Sequence, residues 1–248
     1  VKGAEVREGL ASAAVKNTSM CCLSYADAAP ITIVASMADL DDRRWPKPTL
    51  FTGQGDAGRT SLGTHADVAK TDVLIVARGD CDEANAAVSV VMAAGNLPIG
   101  VNSTLASVQN DLFDVVADLS VPTGATESAE ARIQESHLSR LERAIDHFTG
   151  EVAELTDLSG QVLPGGTVAA ALLYQARAVV RRAERSVWAA LDVHPTSVNP
   201  LCASYLNRLS TLIFVLARGA NAEHGDVQWV AGASAHAMDQ EDVAETQQ

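Results

Sequence analysis

The chain has 248 residues, enough for one or two domains, and carries 31 acidic against 18 basic side chains for a formal net charge of −13. That balance argues against a nucleic-acid or anionic-membrane partner, either of which needs a broad basic face. Aromatic residues make up only 4%, too few for a base-stacking platform. Alanine, leucine and valine dominate, a composition of helices rather than sheets. Cys21, Cys22, Cys81 and Cys202 have the spacing of neither a zinc site nor a disulfide framework. They read as small buried thiols of a reducing compartment. No apolar run reaches the roughly 18 residues of a membrane-spanning helix. Acidic residues such as Glu5, Glu8, Asp27 and Asp39 near the start do not suit a targeting peptide, so a cytoplasmic location is expected.

In chain order, residues 1–48 show short apolar patches such as Ile31-Thr32-Ile33-Val34 without sustained periodicity, then charges and prolines. They are expected to form a disordered or loosely packed extension. A glycine-rich stretch follows, Thr52-Gly53-Gln54-Gly55-Asp56-Ala57-Gly58-Arg59-Thr60-Ser61-Leu62-Gly63. A first helix is expected from about Thr71 to Ala94, stopped by Gly95-Asn96-Leu97-Pro98. Asn102 or Ser103 can cap a second, whose apolar face is Leu105, Val108, Leu112, Val115 and Val116. A polar connection leads to a third helix from Ser136, with Leu138, Leu141, Ile145 and Phe148 as its stripe. Val162-Leu163-Pro164-Gly165-Gly166 precedes a fourth, from about Thr167 to Leu191, with Leu172, Ala176, Val180, Ala183, Val187 and Ala190 as its core stripe. His194-Pro195 ends it, and Asn199-Pro200 starts a fifth, with Leu201, Tyr205, Leu209, Leu212 and Leu216 facing inward. Residues 231–248 are small, polar and acidic, a disordered tail. With no strand-like alternation, five amphipathic helices spanning residues 49–230 predict an all-α bundle.

Several of these residues carry chemistry. The glycine-rich stretch can be a surface turn, or its backbone N–H groups can form an anion-binding concavity. Arg177, Arg181 and Glu184 share one face of the fourth helix, flanked by Arg182 and Arg185. Like charges at this spacing repel. Either Glu184 and solvent offset that, or the face is a clamp for a polyphosphate, which guanidinium groups bind well. Asn207 on the next helix can add an amide or serve as an interhelical contact. Adjacent Asp82 and Glu83 point different ways on a helix, so one of them pairing with an arginine suits better than a carboxylate dyad. None of the six histidines has metal-ligand spacing, so no protein-held metal is expected. No nucleophilic side chain stands in a catalytic pattern, which suits chemistry whose nucleophile is brought in by a substrate or cofactor.

From about Leu50 to Val230 the chain resembles the PduO-type ATP:cob(I)alamin adenosyltransferases. The resemblance rests on Phe51-Thr52…Gly55-Asp56-Ala57-Gly58…Thr60-Ser61-Leu62, on Cys81-Asp82-Glu83-Ala84-Asn85, and on Gln109-Asn110-Asp111-Leu112-Phe113-Asp114. It continues with Leu163-Pro164-Gly165-Gly166, Ala176-Arg177…Arg181-Arg182-Ala183-Glu184-Arg185, and Tyr205-Leu206-Asn207-Arg208-Leu209-Ser210. It implies a five-helix bundle, a homotrimer with sites between subunits, and attack of cob(I)alamin on C5′ of ATP to give adenosylcobalamin and triphosphate. It implies ATP with Mg²⁺ beneath the glycine-rich loop, lined by Thr52, Gly55, Asp56, Gly58, Thr60, Ser61 and Lys70. Arg177 would pair with Asp82 of the adjacent subunit, Arg181 would hold the phosphates, Glu184 would organise the site, and Asn207 would contact the nucleotide. A cob(II)alamin reductase and an adenosylcobalamin-dependent enzyme are the implied partners.

The sequence departs from the family at Gly53, usually basic, Gln54, usually Thr, Leu74, usually Arg, and Arg78, usually Tyr. Thr211 replaces a common Asp. Gln161 replaces a Phe that, in the family, packs near the corrin's lower face and keeps water and the lower ligand off cobalt. These departures carry the alternative expectation, a weakened or inactive paralogue that binds ATP, cobalamin or both.

Overall fold

The computed structural model describes residues 51–63, 65–125, 131–151 and 161–234. The chain divides into two units, Val1–Thr52 and Gly53–Gln248. Of the first only Phe51 and Thr52 are described, both exposed. The expected extension over residues 1–48, and the tail beyond residue 234, lie outside the described residues.

Five helices form, α1 (Val73–Ala94), α2 (Ile99–Ser120), α3 (Glu135–Glu151), α4 (Val168–Val193) and α5 (Pro200–Ala220). Their ends follow local chemistry. Asp72 caps α1 by accepting from the Leu74 N–H at 2.9 Å, and Thr167 caps α4 through the Ala170 N–H at 3.1 Å. Asn199 caps α5, with Pro200 in the first turn where its missing N–H costs nothing. After α1 it is Asn96, at φ 46°, that turns left-handed, while Gly95 stays right-handed. α2 starts before the expected caps. It begins at Ile99, directly after Pro98, and Asn102 uses its amide to donate back to the Leu97 carbonyl at 3.1 Å.

α1 packs on α2 and α4, and α5 packs on α3 and α4. The α1–α4 seam is made of small residues, with Ala77, Cys81, Ala84 and Val88 facing Ala176, Val180, Ala183 and Val187, all buried. Small side chains let two helices approach closely and fix their register. Three polar pairs mark that register. His194 approaches Asp72 at 4.0 Å, Ser186 donates to Asp80, and Arg182 pairs with Glu83. α1 and α4 therefore run antiparallel, the start of one beside the end of the other. On α4 the core stripe begins with Ala170 and Leu173, both buried, and Leu172 packs at the margin instead. α5 is apolar and long enough to pass for a membrane span, but most of it is buried within the bundle.

Two strands depart from the all-helical expectation. β1 (Arg59–Leu62) and β2 (His65–Ala69) pair antiparallel, with Arg59 opposite Ala69 and an irregularity between Thr60 and Leu62. Leu62 anchors this hairpin in the core. A second internal tie is Asp118, almost fully buried at the end of α2. Its carboxylate accepts from Arg132 at 2.5 Å, the Ile133 N–H at 2.9 Å and the Asn199 amide at 2.7 Å. Those donors offset the cost of taking a carboxylate out of water.

Candidate active site

The glycine-rich stretch is half turn and half sheet. Gly53 to Gly58 form successive turns, with Asp56 N–H donating to the Gly53 carbonyl and Gly58 N–H to the Gly55 carbonyl. From Arg59 on, the expected loop is strand, and the Arg59 guanidinium reaches Asp67 across the hairpin at 2.5 Å. Lys70 closes the loop. Its backbone N–H donates to the Gly58 carbonyl at 2.9 Å, and its ammonium lies so close to Gly55 that a Cβ there would sit 3.0 Å from Nζ. Gly55 is half-buried, while Asp56, Gly58 and Ser61 are exposed. Lys70 is thus the cation of this loop. Gly53 has φ +71°, a conformation in which a basic side chain would be strained. The turn of the hairpin abuts the end of α2, where a Cβ on Gly63 would fall on the Ser120 carbonyl.

The arginine face of α4 separates into paired and unpaired members. Arg182 is held by Glu83 and by Asp80 at 3.6 Å. The pairing expected of one α1 carboxylate is therefore made within the chain by Glu83, while Asp82 is exposed. Arg177 lies over the Phe214 ring at 5.1 Å, and its Nε is buried with no hydrogen-bond partner. Burial, and then the charge of Arg181, lowers the Arg177 pKa, the expected signature of repulsion along this face. Glu184 accepts from the Asn207 amide at 3.1 Å, joining α4 to α5. Thr211, one turn further along α5, donates to the Asn207 carbonyl at 3.4 Å. Among the described residues Arg181 is exposed and its guanidinium has no anionic partner.

Within one chain the start of α1, which follows the loop, and the arginines lie at different levels of α4. Lys70 precedes Asp72, whose neighbour on α4 is His194. From Arg181 to His194 the helix advances about 20 Å at 1.5 Å per residue. A triphosphate is shorter than that.

A cavity of about 420 Å³ opens on the other side of Arg177, lined by Gln161, Leu163, Tyr174, Phe214 and Trp229 among others. Residues beyond α5 build one wall. Leu163 N–H donates to the Val227 carbonyl at 2.8 Å, and Trp229 N–H to the Gln161 carbonyl at 2.7 Å. Asn221 clamps the Pro-Gly-Gly turn, accepting from Thr167 N–H and donating to the Gly165 carbonyl, each at 3.0 Å. Gln161 is exposed at the cavity rim. Tyr174, Phe214 and Trp229 are site residues that sequence reasoning missed. Phe214 opens Phe214-Val215-Leu216-Ala217-Arg218, a run that is part of the family resemblance but was given no role, and an aromatic side chain one turn before Arg177 was the available signal for Tyr174.

One further cluster, between α2 and α3, brings ligand atoms of Asp111, Asp114 and His137 within 4.8 Å of one another. Its groups are already engaged. Asp111 accepts from Arg140 and from Tyr205, the latter at 2.7 Å. His137 Nδ1 accepts from the Gln134 N–H at 3.1 Å, which leaves the proton on Nε2, towards Asp114 at 3.6 Å. The ring thus turns its Nε2–H edge to the Asp114 carboxylate, and metal binding there would have to displace that proton and the Gln134 contact.

The family model described as cobalamin adenosyltransferase matches residues 50–220. The corrinoid adenosyltransferase of Mycobacterium tuberculosis is 48% identical over 184 residues, 74% of this chain and 93% of that protein. That of Bacillus subtilis is 35% identical over 189 residues, covering 73% and 91%. Among solved structures, a variant PduO-type ATP:corrinoid adenosyltransferase from Lactobacillus reuteri, complexed with cobalamin and ATP, superposes with a TM-score of 0.64 at 29% identity. The match covers 72% of this chain and 98% of that one. The chain belongs to the cobalamin adenosyltransferase family.

Proposed function

We propose that the protein transfers the 5′-deoxyadenosyl group of ATP to cob(I)alamin, giving adenosylcobalamin and triphosphate. The observation that carries this reading is Arg181, exposed and with no anionic partner among the described residues, on a face where Arg182 is paired with Glu83 and Glu184 is held by Asn207, in a protein of net charge −13. Such a group is available for the charge that grows on a leaving triphosphate. Its neighbours support it. Lys70 and the N–H groups of Gly55 to Gly58 suit phosphate oxygens, with Thr52, Asp56, Thr60 and Ser61 lining the nucleotide and Asn207, placed by Glu184, contacting it. The reduced cobalt of the corrinoid substrate is the nucleophile. A cobalt–carbon bond forms at C5′, the C5′–oxygen bond breaks, and its electron pair leaves with triphosphate. The protein's part is alignment and charge stabilisation. Mg²⁺ suits this donor set as an ion carried on the phosphates, with Glu184 the carboxylate beside the arginines that would hold it, neutralising phosphate charge.

The corrinoid would enter the cavity edged by Gln161. The rise of about 20 Å along α4 from Arg181 to His194, the residue beside Asp72 at the start of α1, supports a site shared between copies, as in a homotrimer, with Arg177 paired to Asp82 of the partner subunit. Buried free thiols at Cys81 and Cys202 suit the cytoplasm. A reductase supplying reduced cobalamin and an enzyme accepting the product complete this reading.

The test is direct. Purified protein with ATP, Mg²⁺ and chemically generated cob(I)alamin should form adenosylcobalamin, followed by its absorbance. No product would overturn the enzymatic reading. A second reading, a paralogue that binds without turnover, is favoured by the polar Gln161 at the cavity rim. Calorimetric titration of ATP and cobalamin separately, showing binding without product, would establish it.

A further inference from the structure

The cavity beside Arg177 has apolar walls and a polar fault. Tyr174 is one of its lining residues and is only 8% exposed. Its hydroxyl is buried and has no hydrogen-bond partner among the described residues. A stranded buried hydroxyl costs about 1–3 kcal/mol, so native proteins rarely keep one without a use. The ring is fixed by edge-to-face packing on Phe214, at 6.3 Å between centroids. Burial, reinforced by Asp226, pushes its phenol pKa up, so the group stays a protonated donor. Asp226 itself is taken, paired with Arg218 and accepting from the Asn221 amide at 3.0 Å. Two other unpartnered buried polar atoms beside the Phe214 ring, Arg177 Nε and Arg218 Nη1, are also donors. The buried polar edge of this cavity around Tyr174 thus offers N–H and O–H. A pocket of this volume is at the small end of the range for ligand sites, about 300–1,000 Å³, and holds part of a large ligand rather than all of it.

We infer that Tyr174 is a specificity residue for the corrinoid, its hydroxyl donating to an acceptor oxygen of the ligand seated against Leu163, Phe214 and Trp229. This rests on the reading that the cavity edged by Gln161 takes the corrinoid. The acceptor is an amide carbonyl at the ring periphery or the phosphate of the nucleotide tail. Both present the same chemistry to an O–H donor.

Tyr174→Phe tests it, because the variant removes only the stranded group. With the wild-type protein and ATP present, titration of cob(II)alamin followed by visible absorbance gives the reference affinity. In Tyr174→Phe the dissociation constant should rise about three- to tenfold, the worth of one neutral hydrogen bond. ATP affinity should be unchanged, and the melting temperature of the ligand-free protein unchanged or higher. Cobinamide, which lacks the nucleotide tail, separates the sources. The same loss with cobinamide assigns the contact to the ring periphery, and a loss seen with cobalamin alone assigns it to the tail phosphate. Unchanged affinity for both corrinoids would overturn the inference. So would a lower melting temperature with both ATP and corrinoid binding weakened, which marks a structural residue. If the wild-type protein binds neither corrinoid, the assignment of the cavity fails first, and this inference with it.

Discussion

Gly63 and Gly58 form a matched pair that tests how the glycine-rich stretch is held. Both have positive φ, +50° and +77°, so alanine at either position meets the same left-handed penalty, about 1–2 kcal/mol. Stiffening of the unfolded chain offsets roughly 0.4–1 kcal/mol of that. The surroundings differ. A Cβ at Gly58 has nothing within 4 Å, whereas at Gly63 it falls on the Ser120 carbonyl, with the carbonyl carbon at 3.0 Å and a Val121 methyl at 3.5 Å. The obstacle is backbone at the end of a helix and cannot swing away. Overpacking of this kind adds about 1–3 kcal/mol. Gly58→Ala should therefore cost about 1 kcal/mol and Gly63→Ala about 2–4 kcal/mol. For a domain of this size each kcal/mol lowers the melting temperature by about 2–4 °C. Thermal unfolding should show a shift of about 2–4 °C for Gly58→Ala and on the order of 10 °C for Gly63→Ala. Because the hairpin carries the loop, ATP should also bind more weakly to Gly63→Ala. Equal shifts for the two variants would show that the hairpin does not rest on α2 and that the loop is unsupported.

Gln161→Phe should raise the rate of adenosylation from cob(II)alamin with a reductase more than the rate from pre-formed cob(I)alamin, since an apolar group at the rim excludes water and the lower ligand from cobalt. Equal effects on both rates would refute a lower-face role for this position. Cys81 titrates in a defined window, because burial, and then Asp82 and Asp80, pushes its thiol up from 9.0 to about 12. The unfolded chain releases this proton above pH 9 while the folded chain keeps it, so stability is full below pH 9 and declines towards pH 12. Melting temperatures from pH 8.5 to 11 should therefore fall less steeply for Cys81→Ala, and identical slopes would exclude Cys81 as a contributor.

The helices were legible because their signals are local. A carboxylate or hydroxyl before an apolar stripe, a proline in a first turn and an asparagine after a last one state where a helix begins and ends. The hairpin was not. β1 is four residues, Arg-Thr-Ser-Leu, with one buried side chain, Leu62, and no alternation long enough to register. It exists because Leu62 reaches the core and Gly63 fits against Ser120, both long-range facts. The arginine face was legible as a charge anomaly, but not its partition. Which arginine meets an α1 carboxylate, Arg182 rather than Arg181, depends on the α1–α4 register, set by Ala77, Cys81 and Ala84 against the small residues of α4. The cavity was the least legible part, since one wall comes from Val227 to Trp229, far along the chain from Gln161 and tied to it only by backbone hydrogen bonds.

That same register yields a test of how the proposed nucleotide site is assembled. If ATP lies between the loop of one copy and the arginines of another, two defects on different chains should complement. Arg181→Ala removes a charge-assisted phosphate contact of about 1.5–3 kcal/mol, and Lys70→Ala a similar one. Each variant alone should lose about ten- to a hundredfold in kcat/KM. When the two are co-expressed in equal amounts with different tags, a mixed interface can bring the intact loop of the first variant to the intact Arg181 of the second. In a head-to-tail ring of three, every assembly that holds both variants has one intact interface of the three. Activity of the co-purified mixed assembly should then rise to about a third of the wild-type value. If Lys70 and Arg181 serve one site within a single chain, no molecule in the mixture has both, and activity stays at the level of the separate variants. The rise of about 20 Å along α4 from Arg181 to His194, beside Asp72, favours the first outcome, and the second would mean that the loop reaches its own arginines.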